Sequence, residues 1–245
     1  ALHADMYENI YVGTQEGGVR WDTAGGWTDI PVEQGGSGWG GSWYYDDFRS
    51  FDSDSNWLWA AFGEARICRW DLNTLQGGTG SNCFDEDDGL PGEDYSYTRV
   101  RYVAQDRILI TSDDGAMIFD TVNETVEGSW DIGQETLNAV TAQIDDIVYA
   151  AYIGIGVTRF DISTSSWLSS WNNVNSILPN DEVTALEVDT NNPNNLWVGG
   201  SFGLMLINSS TSVVEESFPI GSSNSGNVEL PSESPQELII HNNIM

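Results

Sequence analysis

Apolar and polar positions along this chain alternate in short runs, and no stretch sustains the i, i+3, i+4, i+7 spacing of an amphipathic helix. Runs such as "VTALEVD" and "NLWVGG" are rich in β-branched and aromatic residues and are bounded by Gly, Asn, Asp or Ser. That pattern predicts short strands joined by tight turns, with helix almost absent.

The alternation also has a longer period. Five related phrases recur: "IYVGTQEGGVRWD", "LWAAFGEARICRWD", "ILITSDDGAMIFD", "VYAAYIGIGVTRFD" and "LWVGGSFGLMLIN". They end at Asp22, Asp71, Asp120, Asp161 and Asn208, spaced 49, 49, 41 and 47 residues apart. Around each phrase the order is the same: a β-rich run, an Asp/Asn turn, an apolar strand, a strand ending in Asp or Asn, a Ser/Thr turn, and a short aromatic-bearing run. This reads as four strands per unit.

A lone four-stranded sheet of that size leaves apolar faces bare. Stacking such sheets radially covers each with its neighbours and leaves only short edges, which is the β-propeller arrangement. A β-sandwich competes, but has no need of a near-constant phrase. The predicted fold class is therefore all-β: a β-propeller of five four-stranded antiparallel blades plus the start of a sixth. The expected blades are 1–32, 42–88, 97–131, 137–171 and 182–219 in a single propeller domain, with a partial blade at 235–245. The last segment either overlaps the first unit to close a small ring or begins another blade of a larger propeller. The first unit already has its own first strand, which favours the larger propeller.

Gly13, Gly17, Gly115, Gly199 and Gly203 are expected to serve tight turns or close backbone approach. Trp21, Trp59, Trp70, Trp130, Trp167 and Trp197 are expected to fill space between blades.

Composition narrows the partners. The chain has 245 residues and 40% hydrophobic content, enough for a substantial core. Its 38 acidic residues face 8 basic ones, all arginine, for a formal charge of -30. Such a surface repels phosphate backbones and anionic membranes, so nucleic acid is excluded as a partner; its self-repulsion eases in salt or calcium. The absence of lysine removes Schiff-base chemistry. No apolar run is long enough to span a membrane, so direct membrane insertion is not expected.

Cys68 and Cys83 flank "LNTLQGGTGS". If the flanking runs form a hairpin centred near Leu75 and Gln76, the two lie opposite each other and a cross-strand disulfide fits; two buried free thiols are the alternative. An oxidised pair implies an extracellular, periplasmic or cell-surface location. The sequons at Asn123 and Asn208 point the same way.

Candidate chemistry is sparse. Arg20, Arg69 and Arg159 share one position of the third strand, either pairing with neighbouring Asp between blades or forming an arc for a carboxylate ligand. Asp52, Asp54 and Asn56 alternate in "DSDSN" and are candidate calcium ligands, but Trp57 and Gly63 stand where an EF-hand loop needs Gly and Glu. "DEDDG" offers Asp85, Asp87 and Asp88 in the same sense. With only His3 and His241, a Ser/His/Asp triad or a His-rich metal site is not expected. Acidic residues are so abundant that a carboxylate pair for glycoside hydrolysis is uninformative.

One loop departs from the repeat. "EQGGSGWGGSWYYDDF" inserts glycines and aromatics between the first two units, at the face where inter-blade loops converge. Trp39, Trp43, Tyr44 and Tyr45 are the candidate ligand contacts, suited to stacking on sugar rings or gripping a peptide. The alternative is that this stretch simply carries the next unit's first strand.

These phrases resemble the two-component regulator propeller repeat, a WD40-like β-propeller family found in extracytoplasmic sensor regions of bacteria and in other secreted propellers. The resemblance rests on Ile10 to Thr14 with Arg20-Trp21-Asp22, on Arg69-Trp70-Asp71, on Asp88-Gly89-Leu90-Pro91, on Arg159-Phe160-Asp161, and on Leu196 to Gly199 with Gly203-Leu204. Ile118 and Leu206 depart from it at the arginine position. It implies a ligand-sensing or scaffolding propeller. The expected function is a non-catalytic extracytoplasmic binding module, part of a longer polypeptide, that recognises a glycan or protein partner. The alternative is a polysaccharide-active hydrolase or lyase using paired carboxylates.

Overall fold

The structure is a computed structural model that describes residues 1–15, 17–22, 25–32, 47–63, 66–77, 82–90, 97–104, 106–112, 115–131, 140–175, 177–189 and 191–220. As expected, it is all-β. Sheet 1 contains β1 (Leu2–Ala4), β2 (Ile10–Thr14), β3 (Gly17–Trp21) and β4 (Trp27–Asp29). Sheet 2 contains β5 (Phe48–Ser53), β6 (Trp57–Phe62), β7 (Arg66–Asp71) and β8 (Cys83–Phe84). Sheet 3 contains β9 (Tyr97–Ala104), β10 (Arg107–Ser112), β11 (Gly115–Asp120) and β12 (Thr125–Asp131). Sheet 4 contains β13 (Val140–Ile144), β14 (Ile147–Tyr152), β15 (Gly156–Asp161) and β16 (Ser166–Trp171). Sheet 5 contains β17 (Val183–Val188), β18 (Asn195–Gly200), β19 (Gly203–Asn208) and β20 (Val213–Pro219).

Every sheet is an antiparallel meander in chain order. One short 3-10 turn, Glu86–Asp88, follows sheet 2. Among the described residues no helix is long and apolar enough to cross a membrane. The expected sixth start, 235–245, lies outside the described residues.

The chain divides into two compact units, Ala1–Leu137 with sheets 1 to 3 and Asn138–Met245 with sheets 4 and 5. Within each, the core lies between successive sheets. Tyr11, Ile30, Phe48 and Phe51 meet Leu58, Ala60, Phe62 and Trp70 in the seam between sheets 1 and 2. Trp59, Ala61, Ile67 and Phe84 meet Val100, Ile108, Ile110, Met117 and Phe119 between sheets 2 and 3. In the second unit Ala142, Tyr149, Ala151, Val157 and Trp171 meet Leu196, Val198, Met205 and Ile207. β6 reads "WLWAAF" because it is buried on both faces: Leu58, Ala60 and Phe62 face sheet 1, while Trp59 and Ala61 face sheet 3. A continuous apolar run is what such a position requires.

Close packing explains two of the repeated glycines. A Cβ on Gly13 would stand 2.4 Å from Phe48 Cβ, so only glycine lets β2 lie against β5. Gly203 opens β19 at φ +109, and a Cβ there would stand 2.2 Å from the Phe218 carbonyl oxygen.

The repeat's terminal Asp or Asn has a local job. Asp71 Oδ1 accepts from the N–H groups of Asn73 and Thr74, Asp120 Oδ1 from Val122 and Asn123, Asp161 Oδ1 from Ser163 and Thr164, and Asn208 Oδ1 from Ser210 and Thr211. Four residues past each of these caps stands a residue with positive φ: Leu75, Glu124, Ser165 and Ser212. The phrase therefore ends in Asp or Asn because that side chain closes the turn into the fourth strand.

The aligned arginines lie in the seams. Arg20 Nη1 donates to the Leu72 carbonyl at 2.9 Å, across from sheet 1 to the β7–β8 turn of sheet 2. Arg69 sits over Trp57, Trp59 and Phe84, its Cζ 4.7 to 5.5 Å from their centroids, where the charges of Asp106, Asp54 and Glu124 act on it. Arg159 lies 4.9 Å above Trp171 and its Nη1 reaches Ser212 Oγ in the β19–β20 turn of sheet 5. Asp pairing between blades was one expectation; instead Arg20 donates to a carbonyl in the next sheet's turn, and Arg159 donates to the Ser169 carbonyl of its own sheet and to the Ser212 hydroxyl of the next.

Candidate functional site

In a meander of four antiparallel strands, the β2–β3-type turn and the connection to the next sheet fall at one end, and the other two turns at the opposite end. Hydrogen bonds bear this out. The Gly63 N–H donates to the Asp47 carbonyl, Gly154 to Asp181, and Ser201 to Glu182, so among the described residues the ends of the sheet 1–2 and sheet 4–5 connections rest on β2–β3-type turns.

The two ends differ chemically. The opposite end is closed by self-satisfied acids. Asp5 accepts from the N–H groups of Tyr7 and Asn9, the Asn9 side chain and the Tyr11 hydroxyl. Burial alone would raise the Asp5 carboxyl, but those bonds bring it below its ordinary value. Asp120 follows the same logic, burial opposed by Asn123 and Val122. Asp71 is lowered by Thr74 and Asp161 by Ser163 and Thr164, both in exposed turns.

The sign of the resulting pH dependence follows. Lowered carboxyls contribute stability that is present above their unfolded value and lost as pH falls through the folded one. Thermal melting followed by circular dichroism is therefore expected to show falling stability below about pH 4. Asp120→Asn should flatten that fall, since its caps no longer titrate; a variant whose profile parallels the parent at every pH would refute the assignment.

The connection end carries the predicted ligand loop. Trp39, Trp43, Tyr44 and Tyr45 lie outside the described residues, but both feet of the loop are fixed. Pro31 accepts from Trp70 Nε1 at 2.7 Å, and Ile30 is buried in the first seam. On the other side Arg49 Nη2 meets Asp47 at 2.6 Å, and Phe48 is buried as the first residue of β5. Arg49, Arg66 and Arg99 all stand near this end of sheets 2 and 3, close to the starts of β5, β7 and β9.

The candidate calcium ligands have protein partners. Asp54 Oδ1 accepts from the N–H groups of Asn56 and Trp57, and its Oδ2 from Trp59 Nε1 at 3.2 Å. Asp52 Oδ2 accepts from the Tyr102 N–H at 2.8 Å in the next sheet. In "DEDDG", Asp85 caps the 3-10 turn and Asp88 bonds back to the Asp85 N–H, with Gly89 at φ 89 ending it. Among the described residues no group of three or more His, Cys, Asp or Glu side chains is arranged to hold a metal ion. Cys68 and Cys83 are joined, directly opposite each other in β7 and β8.

Sequence reasoning missed one constellation. His3 Nε2 lies 2.8 Å from Ser53 Oγ. Next to it, Asp52 is half-buried on β5 against β9, its carboxyl raised by desolvation against the opposing pull of Arg101 and His3. Burial likewise lowers His3, opposed by Asp52 and Asp5. Ser50 Oγ bonds both the N–H and the carbonyl of Val100. Ser50 and Asp52 thus satisfy edge groups of β9, the first strand of its sheet. No signal in one sequence marks this line, since it depends on which residues of neighbouring first strands stand side by side.

Comparison with solved structures bears on the fold. The chain is similar to the extracellular domain of a hybrid two-component system protein of B. thetaiotaomicron, with a TM-score of 0.60 and 18% identity over 87% of this chain. It is similar to the extracellular domain of a one-component system protein of the same organism, with a TM-score of 0.65 and 13% identity over 98% of this chain. A computationally designed protein, Ika8, matches at a TM-score of 0.64 and 14% identity over 99% of this chain. The fold is propeller-like. At these identities the likeness carries the fold alone, and the chain spans 29% and 31% of the two bacterial domains and 65% of the designed protein. No protein-family profile matches the sequence, and no curated protein does.

Proposed function

We propose that this chain is a non-catalytic extracytoplasmic binding module, sensor or scaffold, which takes a glycan or protein ligand at the connection end of sheets 1 and 2. The observation that carries this reading is that the aromatic-rich stretch 33–46 of the sequence is flanked by residues held in place, Ile30 and Pro31 by the first seam and Trp70 on one side, Phe48 in that seam and the Arg49–Asp47 pair on the other. A loop on rigid feet is a common way to present a binding surface. Guanidinium groups near the same end suit a ligand bearing carboxylates or polar hydroxyls in an otherwise acidic protein. The Cys68–Cys83 bond supports an oxidising location, and two similar structures are extracellular domains by description. The formal charge of -30 argues against nucleic acid.

A glycan array, with and without calcium, tests this. Replacing Trp39, Trp43, Tyr44 and Tyr45 by alanine should weaken any bound glycan by at least about tenfold, as loss of aromatic anchors does, while leaving the melting temperature unchanged. Undiminished binding in that variant would remove the loop from the site.

A second reading has one observation in its favour. Asp52, raised by burial and flanked by His3 and Arg101, is the kind of perturbed carboxyl that a polysaccharide hydrolase or lyase would use. Asp52→Asn should leave glycan binding intact under the binding reading and abolish turnover under the enzymatic one.

A further inference from the structure

Within the first unit, the first strands of sheets 1 to 3 are bridged by side chains. Ser50 and Asp52 of β5 take edge groups of β9 on one side. On the other side Ser53 meets His3 of β1, its Oγ 2.8 Å from Nε2. β1 is three residues long, forms the edge of sheet 1, and pairs with β2 at Leu2↔Val12, His3↔Tyr11 and Ala4↔Ile10. The His3 contact therefore ties a short edge strand, the kind of element that opens locally, to the neighbouring sheet.

The carboxylates near His3 are engaged elsewhere. Asp5 accepts with Oδ1 from the N–H groups of Tyr7 and Asn9 and with Oδ2 from the Asn9 side chain and the Tyr11 hydroxyl. Asp52 accepts from the Tyr102 N–H and also feels the charge of Arg101, both on β9. From β2, the Tyr11 ring stands 6.2 Å from the imidazole, and burial raises its hydroxyl above the ordinary value, so it stays neutral. Among the described residues, then, no carboxylate oxygen is hydrogen-bonded to His3. An imidazolium there would lose water without a bonded counterion. Asp52 and Asp5 favour the charged ring from a distance, but burial outweighs both and holds His3 below its ordinary 6.5.

We propose that His3 is an acid-sensitive latch: neutral, it holds β1 on β5 through Ser53, and protonated, it lets that strand loosen before the rest of its sheet. A serine hydroxyl can donate to the ring or accept from it, so the cost of protonation lies in placing a charge there and not in losing the bond. The sign follows from linkage. His3 is lowered in the folded chain, so the opened strand binds the proton more readily; the stability it contributes is present above 6.5 and is lost as pH falls toward the folded value. Asp52 acts in the opposite sense. Its raised carboxyl contributes stability that is present at low pH and lost as pH rises through its folded value, so it offsets part of the loss. The capping carboxylates weaken only below about pH 4, and the latch opens first.

Nuclear magnetic resonance on the full chain tests this. The imidazole C2–H signal that disappears in His3→Gln belongs to His3, and its titration midpoint in the parent chain should lie below 6.5. Hydrogen-exchange protection of the β1 amides, corrected for intrinsic rates, should fall at least about threefold between about pH 7 and about pH 5, while that of β18 and β19 stays constant. His3→Gln keeps a side chain that hydrogen-bonds but does not titrate, so its β1 protection should be flat over the same range. Asp52→Asn removes both the offset and a charge that favours the imidazolium; the His3 midpoint should drop further and the loosening should grow. A parent midpoint at or above 6.5, β1 protection that does not change in the parent, or an equal fall in His3→Gln or in β18 and β19 overturns the proposal.

Discussion

Trp70→Ala is expected to lower the unfolding free energy by about 3–5 kcal/mol, the range for removing a large buried aromatic. Three effects add. Trp70 has no solvent exposure, and its ring lies 6.0 Å from that of Phe48 and 6.3 Å from that of Phe62, so its removal leaves a cavity in the first seam. Its Nε1 also donates to Pro31 at 2.7 Å, so the carbonyl at one foot of the candidate loop loses its partner. The side chain carries the seam, too, because it faces sheet 1 while Trp59 on the neighbouring strand faces sheet 3. For a chain of this length the melting temperature should fall by roughly 10 °C. The control is Trp21→Ala, at the equivalent position of sheet 1, where the side chain is only half-buried. It should cost clearly less. Equal losses in the two variants, measured by denaturant titration, would show that burial in the seam is not what makes Trp70 matter.

The second large effect is expected from the disulfide. Replacing both Cys68 and Cys83 by serine removes a cross-link over a separation of 15 residues, which should cost about 3 kcal/mol through freedom returned to the unfolded chain. Locally the consequence is sharper. β8 is two residues long and pairs with β7 only at Ile67↔Phe84 and Cys68↔Cys83, so the bond holds half of its ladder. Phe84 in turn packs on Trp59 and Phe119 in the second seam. Loss of the bond should therefore raise hydrogen exchange first in β8 and then along β11, before global unfolding. Reduction that leaves both the melting temperature and exchange in β8 unchanged would rule this out.

Much of the fold was legible because the repeat records a packing rule. Asp22, Asp71, Asp120, Asp161 and Asn208 could be aligned by eye, and the last four of them cap equivalent turns. A hairpin centred near Leu75 foretold the Cys68↔Cys83 pairing, and Leu75 sits at φ 53 within that turn. Trp59 and Trp70 were read as seam fillers and are buried in the second and first seams; β6, apolar at every position, is covered on both faces. What lay between sheets was less legible. Arg20 and Arg159 were aligned, yet the groups they reach in the next sheet, the Leu72 carbonyl and the Ser212 hydroxyl, sit 52 and 53 residues away, and Arg159 also bonds the Ser169 carbonyl of its own sheet; none carries a charge to advertise the contact. His3 looked unpromising near the chain terminus, and only the adjacency of first strands sets it beside Ser53 and Asp52. Trp171, fully buried, lies in a Ser-rich strand that gave no hint of its place against Tyr149. The candidate loop was visible only as a departure from the repeat, which marks an insertion without fixing what it binds.

Repeat sheets bury their faces seam by seam in chain order, and the other conclusions depend on that packing. A crystal structure of residues 1–245 tests it most directly. The expected result has Phe48 seated on Gly13, Trp70 Nε1 on the Pro31 carbonyl, and Leu196 and Ile207 covered by Tyr149 and Trp171. Two sheets packed face to face as a sandwich, with Trp70 and Trp59 on the same side of their strand pair, would contradict it.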